Sequence, residues 1–192
     1  MNDYSDQVEV AIAINFDLAE GPFWDEVSGK LIFVDGYNGA VHRFDYETGE
    51  IASLFVDEPI GAAIPASDER LVFTSANGLK EVFNRRKFIE IDRSNGLPDG
   101  LTVDEFGDVW VALFHGGQVR HYKSDGQLAG VIKLPVSRVT SCIFGGKDFR
   151  DLFITTADFK SHKDGKPHEE KAGYVFRCRP GPKGLPSYKF AG

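Results

Sequence analysis

The sequence predicts an all-β fold, a β-propeller of about four blades, each a four-stranded antiparallel sheet, on three observations. The first is a complete unit beginning at Leu97: LPDGLTVD, a turn at Gly107, VWVAL, a turn at Gly116–Gly117, QVRHYK, a turn at Asp125–Gly126, then QLAGVIKL. Short runs rich in Val, Leu, Tyr and Trp, each cut by a glycine turn, read as strands of a meander. The second observation is recurrence. EGPFWD, LIFVD, GAVHRFD and TGEIASLF in residues 20–55 fall in register on that unit, and partial copies begin at Ile60 and Thr140. The third is the period. Glu20, Ile60, Asp99 and Thr140 hold the same first-strand position, at spacings of 40, 39 and 41 residues. A meander cannot bury both faces alone, so repeats of this length stack around an axis, with their first strands innermost.

Taken in order, residues 1–7 read as a short polar tail, and 8–14 (VEVAIAI) as a strand that completes the outer part of the last blade. The whole chain, 1–192, reads as a single domain with blades at about 20–56, 57–92, 96–135 and 138–192. In the first blade Asn38-Gly39 and Thr48-Gly49 are hairpin turns. The second is irregular: after LVFTS and Asn77-Gly78, Glu81–Lys87 crowds charge around Val82 and Phe83, and only Lys87–Ile91 (KFIEI) alternates well enough for an outer strand. In the last blade Phe159–Lys171 is almost wholly polar and reads as a solvated loop. YVFRCRP (174–180) and SYKFAG (187–192) supply its remaining strands.

Composition sets limits on function. Hydrophobic residues make up 42% of the chain, with 16 Phe, enough for a packed core. No apolar run has the length of a membrane helix, and MNDYSDQVEV lacks the basic and apolar parts of a signal peptide. The two cysteines, Cys142 and Cys178, form no disulfide or metal pattern and read as reduced, buried residues, which points to the cytoplasm. A net charge of −7 argues against nucleic acid and favours cations.

Glu20 and Asp99 place carboxylates at two of the four axis positions. Asp25, Asp35, Asp45 and Asp104 border hairpin turns and read as turn residues. Trp24 and Trp110 read as packing between blades. His115 is a turn histidine. His162 and His168 lie in the polar loop, where a solvated role outweighs metal binding. Ser141 and Cys142 have no histidine at a motif spacing, which argues against nucleophilic catalysis.

AEGPFWDEVSGKLIFVD, FNRRKFIEID, LPDGLTVDEFGDVWVALFHGGQVRHY, KLPVSRVTSCIFGGKDFRDLFITTA and GLPSYKFAG together resemble the senescence-marker-protein/gluconolactonase/regucalcin family over nearly the whole chain. The resemblance implies a six-bladed propeller with one divalent cation on its axis, hydrolysing sugar lactones. In that family the cation is held by a Glu in EGP, an Asp in PDG and an Asn in PNG. Glu20 and Asp99 match the first two; the PNG motif is absent here, as is the blade bearing an Asn and an Arg that hold substrate and water. The stretches resembling LVFTSANGL and FNRRKFIEID are separated by two axis positions in the family and nearly adjacent here, joined around Leu79–Phe83. About two repeats are therefore missing.

Oxygen ligands suit a hard ion (Ca²⁺, Mg²⁺ or Mn²⁺), with Zn²⁺ also admissible. Asp99 is the candidate general base for a water that attacks the lactone carbonyl. With the Asn gone, cation affinity falls by about ten- to a hundredfold. The alternative reading is a shortened, non-catalytic form acting as a weak calcium-binding or interaction protein. An imperfect second blade also predicts self-association through exposed strand edges.

Overall fold

The structure is a computed structural model that describes residues 1–56, 59–65, 71–74, 89–159 and 167–187. Among these residues there is no α-helix; fifteen strands and two short 3-10 turns make up the regular structure. Four sheets follow the sequence repeat. Strands β3 (Ala19–Asp25), β4 (Lys30–Asp35), β5 (Ala40–Asp45) and β6 (Ile51–Phe55) form one antiparallel meander. β9 (Leu97–Val103), β10 (Val109–Phe114), β11 (Gln118–Tyr122) and β12 (Leu128–Lys133) form another. β13 (Val139–Gly145), β14 (Asp151–Thr156) and β15 (Val175–Cys178) are closed by β2 (Glu9–Ile12), which pairs antiparallel with β15. β7 (Ala62–Pro65) and β8 (Leu71–Thr74) form a hairpin.

Packing between sheets explains why strand interiors are apolar on both faces. All six residues of β14 and five of the six in β4 are buried, because other sheets cover both their faces. Trp24 stacks on Phe153 at 5.7 Å, and Trp110 meets Phe144 edge-on at the same centroid distance. Both tryptophans thus tie a neighbouring blade to the sheet of β13–β15, the packing role read for them in the sequence. First strands lie side by side: β7 packs on β3, β3 on β13, and β13 on β9. At β9 and β13 the approach is so close that a β-carbon on Gly100 would lie 2.0 Å from Ser141 Oγ.

The N-terminus departs from the sequence reading. Residues 1–7 are more than a polar tail: Asn2 and Asp3 form β1, which pairs parallel with Gly130 and Val131 of β12. Tyr4 packs against Trp110 at 6.0 Å between ring centroids, and Ser5 Oγ accepts the backbone N–H of Lys133. A polar composition masks this because the segment gains its order from backbone pairing and one aromatic ring. Two neighbouring sheets are bridged by a single stretch, β1 on one and β2 on the next.

Two further corrections concern loops. In the described part of 87–91, Ile89 and Ile91 are not in a strand; they pack against Val111, Leu113 and Tyr122, so their alternation reports one-sided burial. The polar loop is anchored at both described ends. Phe159 is half-buried, and Glu169 accepts hydrogen bonds from Ser137 N and Oγ at 2.9 and 3.1 Å. His162, Asn77-Gly78, Glu81–Lys87 and 188–192 lie outside the described residues.

Candidate active site

Glu20 and Asp99 sit near the starts of β3 and β9, and the local backbone is irregular at both. Register between β3 and β4 shifts between Glu20 and Phe23; between β9 and β10 it shifts where Asp99 and Gly100 together face Ala112. β13 has the same irregularity at Thr140. A bulge bends its strand and re-aims the side chains beside it. The repeated motif therefore carries a backbone device along with its residue types.

Glycines make room for the acids. A β-carbon on Gly36 would lie 2.6 Å from Glu20 Oε1, so the carboxylate rests against bare backbone. Gly21, at φ +55°, lies against Gly61 and Ala62 of the next blade, which brings β3 and β7 together. Each glycine following an acid, Gly21 and Gly100, thus allows neighbouring first strands to approach.

Electrostatically the two acids form a pair. Glu20 is half-buried, and burial, then the charge of Asp99, then that of Asp35 push its pKa up to about 7. Burial raises Asp99 to about 6, opposed by a hydrogen bond from Gly100 N–H. Asp99 nevertheless keeps a solvent-exposed surface, which screens it, so the larger shift on Glu20 is the firmer sign of crowding. Among the described residues no Lys or Arg forms a salt bridge with either acid. Two oxygen donors under uncompensated negative charge fit a hard divalent cation.

The other axis positions are structural. Ile60 is 3% exposed in an apolar cluster with Phe23, Ile32 and Val41. Thr140 donates to the Ala19 carbonyl at 2.5 Å and contacts the Thr155 hydroxyl at 2.8 Å, fastening β13 to β3. Turn roles are visible for Asp25, Asp45 and Asp104, whereas Asp35 departs from the turn reading by tying β4 to the segment before β3, with Asn38 Nδ2 as its local donor. Asp25 accepts from Val27 N and Ser28 Oγ, and Asp45 from Glu47 N and Thr48 N. Asp104 accepts from Phe106 N and Asp108 N, while Asp35 takes the N–H groups of Asp17 and Leu18. His115 is half-buried against Phe114, with ring centroids 4.4 Å apart, rather than exposed. His168 pairs with Asp158 at 2.9 Å. Cys142 and Cys178 are free and buried, and burial pushes the Cys178 thiol up to about 12.

One cluster was not anticipated from the sequence. Asp104, Asp108 and His121 bring ligand-type atoms within 4.8 Å of one another. Asp104 accepts from Trp110 Nε1 at 2.9 Å, Asp108 accepts from Ser124 N, and Asp108 meets His121 Nε2 at 3.0 Å. His121 also stacks on Trp110 at 4.1 Å. These bonds make a polar network around Trp110, in which the buried His121 Nδ1 has no hydrogen-bond partner among the described residues.

Comparison with known proteins sharpens the assignment. The model of the "SMP-30/Gluconolactonase/LRE-like region" matches residues 18–82 and 79–158, two segments that meet where the sequence suggests a join. Regucalcin of Danio rerio is 40% identical over 111 residues, covering 57% of this chain and 38% of that protein. Regucalcin of Gallus gallus is 29% identical over 180 residues, covering 92% of this chain and 50% of that protein. The chain thus spans about half, or less, of the length of these relatives. Among solved structures, a calcium-binding protein, regucalcin from Agrobacterium tumefaciens, superposes with TM-score 0.78 at 15% identity, covering 98% of this chain and 99% of that one. At that identity the likeness establishes the fold, a β-propeller.

Proposed function

Because the chain belongs to the SMP-30/gluconolactonase/LRE-like family, we propose that it is a divalent-cation-dependent hydrolase of sugar lactones, with Glu20 and Asp99 as the cation's protein ligands. The observation that carries this reading is the unneutralised pair itself, two acids from different blades close enough for one to raise the pKa of the other. When bound, a hard cation would polarise the lactone carbonyl and acidify a nearby water.

The residues' own contributions follow from their settings. Asp99 is exposed and has a pKa of about 6, so near neutral pH it is largely ionised yet basic enough to accept a proton. It takes the proton of the water whose oxygen bonds to the lactone carbonyl carbon. As the ring C–O bond breaks, that proton passes to the departing ring oxygen, and the product is the open hydroxy acid. Glu20, less exposed, supplies the second negative charge. Oxygen-only donors suit a hard ion such as Ca²⁺, Mg²⁺ or Mn²⁺, with Zn²⁺ also admissible, and the free, buried thiols fit a cytoplasmic setting.

The test is hydrolysis of an aldonolactone followed by pH-stat, with and without Ca²⁺ or Mn²⁺, in wild type and Asp99→Asn. Cation-dependent turnover that vanishes in the variant supports the proposal. A rate equal to buffer overturns it and leaves a cation-binding protein without turnover.

A further inference from the structure

Near the strand ends that carry the acidic pair, three aromatic residues form a continuous arc. Tyr37 and Phe159 have ring centroids 5.7 Å apart, and Phe159 and Phe114 5.6 Å apart. Each belongs to a different blade, and each lies at or just beyond the end of that blade's second strand. Pairing puts these strand ends beside the acids: Ala19 pairs with Asp35, two residues before Tyr37, and Leu97 pairs with Phe114 itself, two residues before Asp99. Phe159 N–H bonds to the Asp17 carbonyl at 3.0 Å, just before β3. The arc thus runs from the Glu20 side to the Asp99 side, over the same three blades whose first strands are β3, β13 and β9.

The arc presents hydrocarbon. Tyr37 is 37% exposed, and Phe114 and Phe159 are half-buried. The cation beside Phe159, Arg138, lies 5.8 Å from its ring but is only 2% exposed and faces Glu169 at 3.9 Å, so its charge is buried beneath the ring's exposed side. Phe159 also has φ 55°, a left-handed backbone that a bulky residue seldom adopts; surrounding contacts must impose it. Ring faces bind hydrocarbon by face and edge contact, and Phe114 and Phe159 give hydroxyl groups no hydrogen-bonding partner; the Tyr37 hydroxyl is the polar group at the arc's end.

We infer that Tyr37, Phe114 and Phe159 are specificity-determining residues that select a lactone bearing a hydrocarbon substituent, laid along the arc with its carbonyl at Glu20 and Asp99. This inference rests on the lactonase reading. A fully hydroxylated aldonolactone would leave its hydroxyls facing rings, whereas an alkyl or aryl substituent removes apolar surface from water on both sides.

The experiment compares an alkyl-substituted δ-lactone with an aldono-δ-lactone in wild type, Phe159→Leu and Tyr37→Ala, alongside calorimetric binding of the matching alkyl δ-lactam, which is not hydrolysed. Tyr37 sits in an exposed turn, so its variant guards against misfolding of Phe159→Leu. The expected result is a KM for the alkyl lactone about tenfold higher in Phe159→Leu and about threefold higher in Tyr37→Ala, with kcat within about twofold. KM for the aldonolactone stays unchanged, and lactam affinity falls in parallel. Equal effects on both lactones, or a wild-type kcat/KM favouring the aldonolactone, would overturn the arc's role. Lactam binding that weakens in the variants without any hydrolysis sinks the lactonase reading and keeps the arc. Cation-dependent hydrolysis with lactam affinity unmoved does the reverse, and neither hydrolysis nor lactam binding sinks both.

Discussion

Glu20 and Asp99 belong to different blades, and the charge on Asp99 makes Glu20 harder to ionise. Neither acid is balanced by a basic side chain among the described residues, so their native arrangement carries a cost that a proton or a cation relieves.

The pH dependence of stability follows. In the unfolded chain Glu20 and Asp99 ionise near 4.5 and 3.8; in the fold they hold their protons to about 7 and 6. Between those limits the native state binds more protons, so stability falls as pH rises and levels off above about 7. The share from Asp99 is smaller because it is exposed. Thermal melts from pH 5 to 8 in chelator should show Tm declining more steeply in wild type than in Glu20→Gln. A wild-type slope no steeper than that of the variant would contradict the pair.

Calcium should reverse that decline. At pH 8, a hundredfold excess over Kd adds about 2.7 kcal/mol, a Tm gain of a few degrees for a chain of this size. The gain should shrink at pH 5, where protons compete for the same oxygens. Asp99→Asn should lose the calcium response and lower kcat by at least about a hundredfold, without lowering the Tm measured in chelator. Calorimetry and melts on the same samples check both.

Gly100→Ala should destabilise the protein by about 1–3 kcal/mol, since the new methyl meets Ser141 Oγ, Cβ and Cα at 2.0, 2.4 and 2.8 Å. Ser141→Gly in the same chain removes the first two clashes and leaves the third, so urea denaturation of the double variant should show partial recovery. A strictly additive loss would mean that the two strands do not touch in this way.

Trp110→Phe should cost about 2–4 kcal/mol. It deletes the hydrogen bond to Asp104, the stack on His121 and part of a side chain with no solvent exposure. Urea melts measure the loss, and a change under 1 kcal/mol would count against the network's importance.

Removing residues 1–5 should lower Tm modestly, because the β1 pairing, the Tyr4 contact and the Ser5 hydrogen bond from Lys133 N disappear while β2 stays paired. Removing residues 1–13 also strips β2 from β15 and leaves an unpaired edge beside the buried Phe176. That variant should aggregate or lose its cooperative melt. Equal Tm in the two deletions would show that β2 adds little.

Legibility in the sequence tracked the distance over which each feature is encoded. Asp25, Asp45 and Asp104 accept N–H groups two to four residues away, so turn chemistry alone identified them. Strands bounded by glycine turns were readable for the same reason. The match between Glu20 and Asp99 was readable because a repeat carries long-range register in a local pattern. Asp108 with His121 repeats nowhere, and the pairing of Asn2 with Gly130 has no side-chain signature, so both stayed hidden. Phe159 sat in a stretch whose polar average concealed one ring packed against two others.

By itself the sequence determined an all-β repeat, its turns, its family, and the two acids that share one position in that repeat. Tertiary structure decided how those acids meet, what surrounds them and where the N-terminal strands go. Turn and strand preferences act between neighbours along the chain, whereas a carboxylate's proton affinity depends on burial and on charges brought close only when the sheets pack.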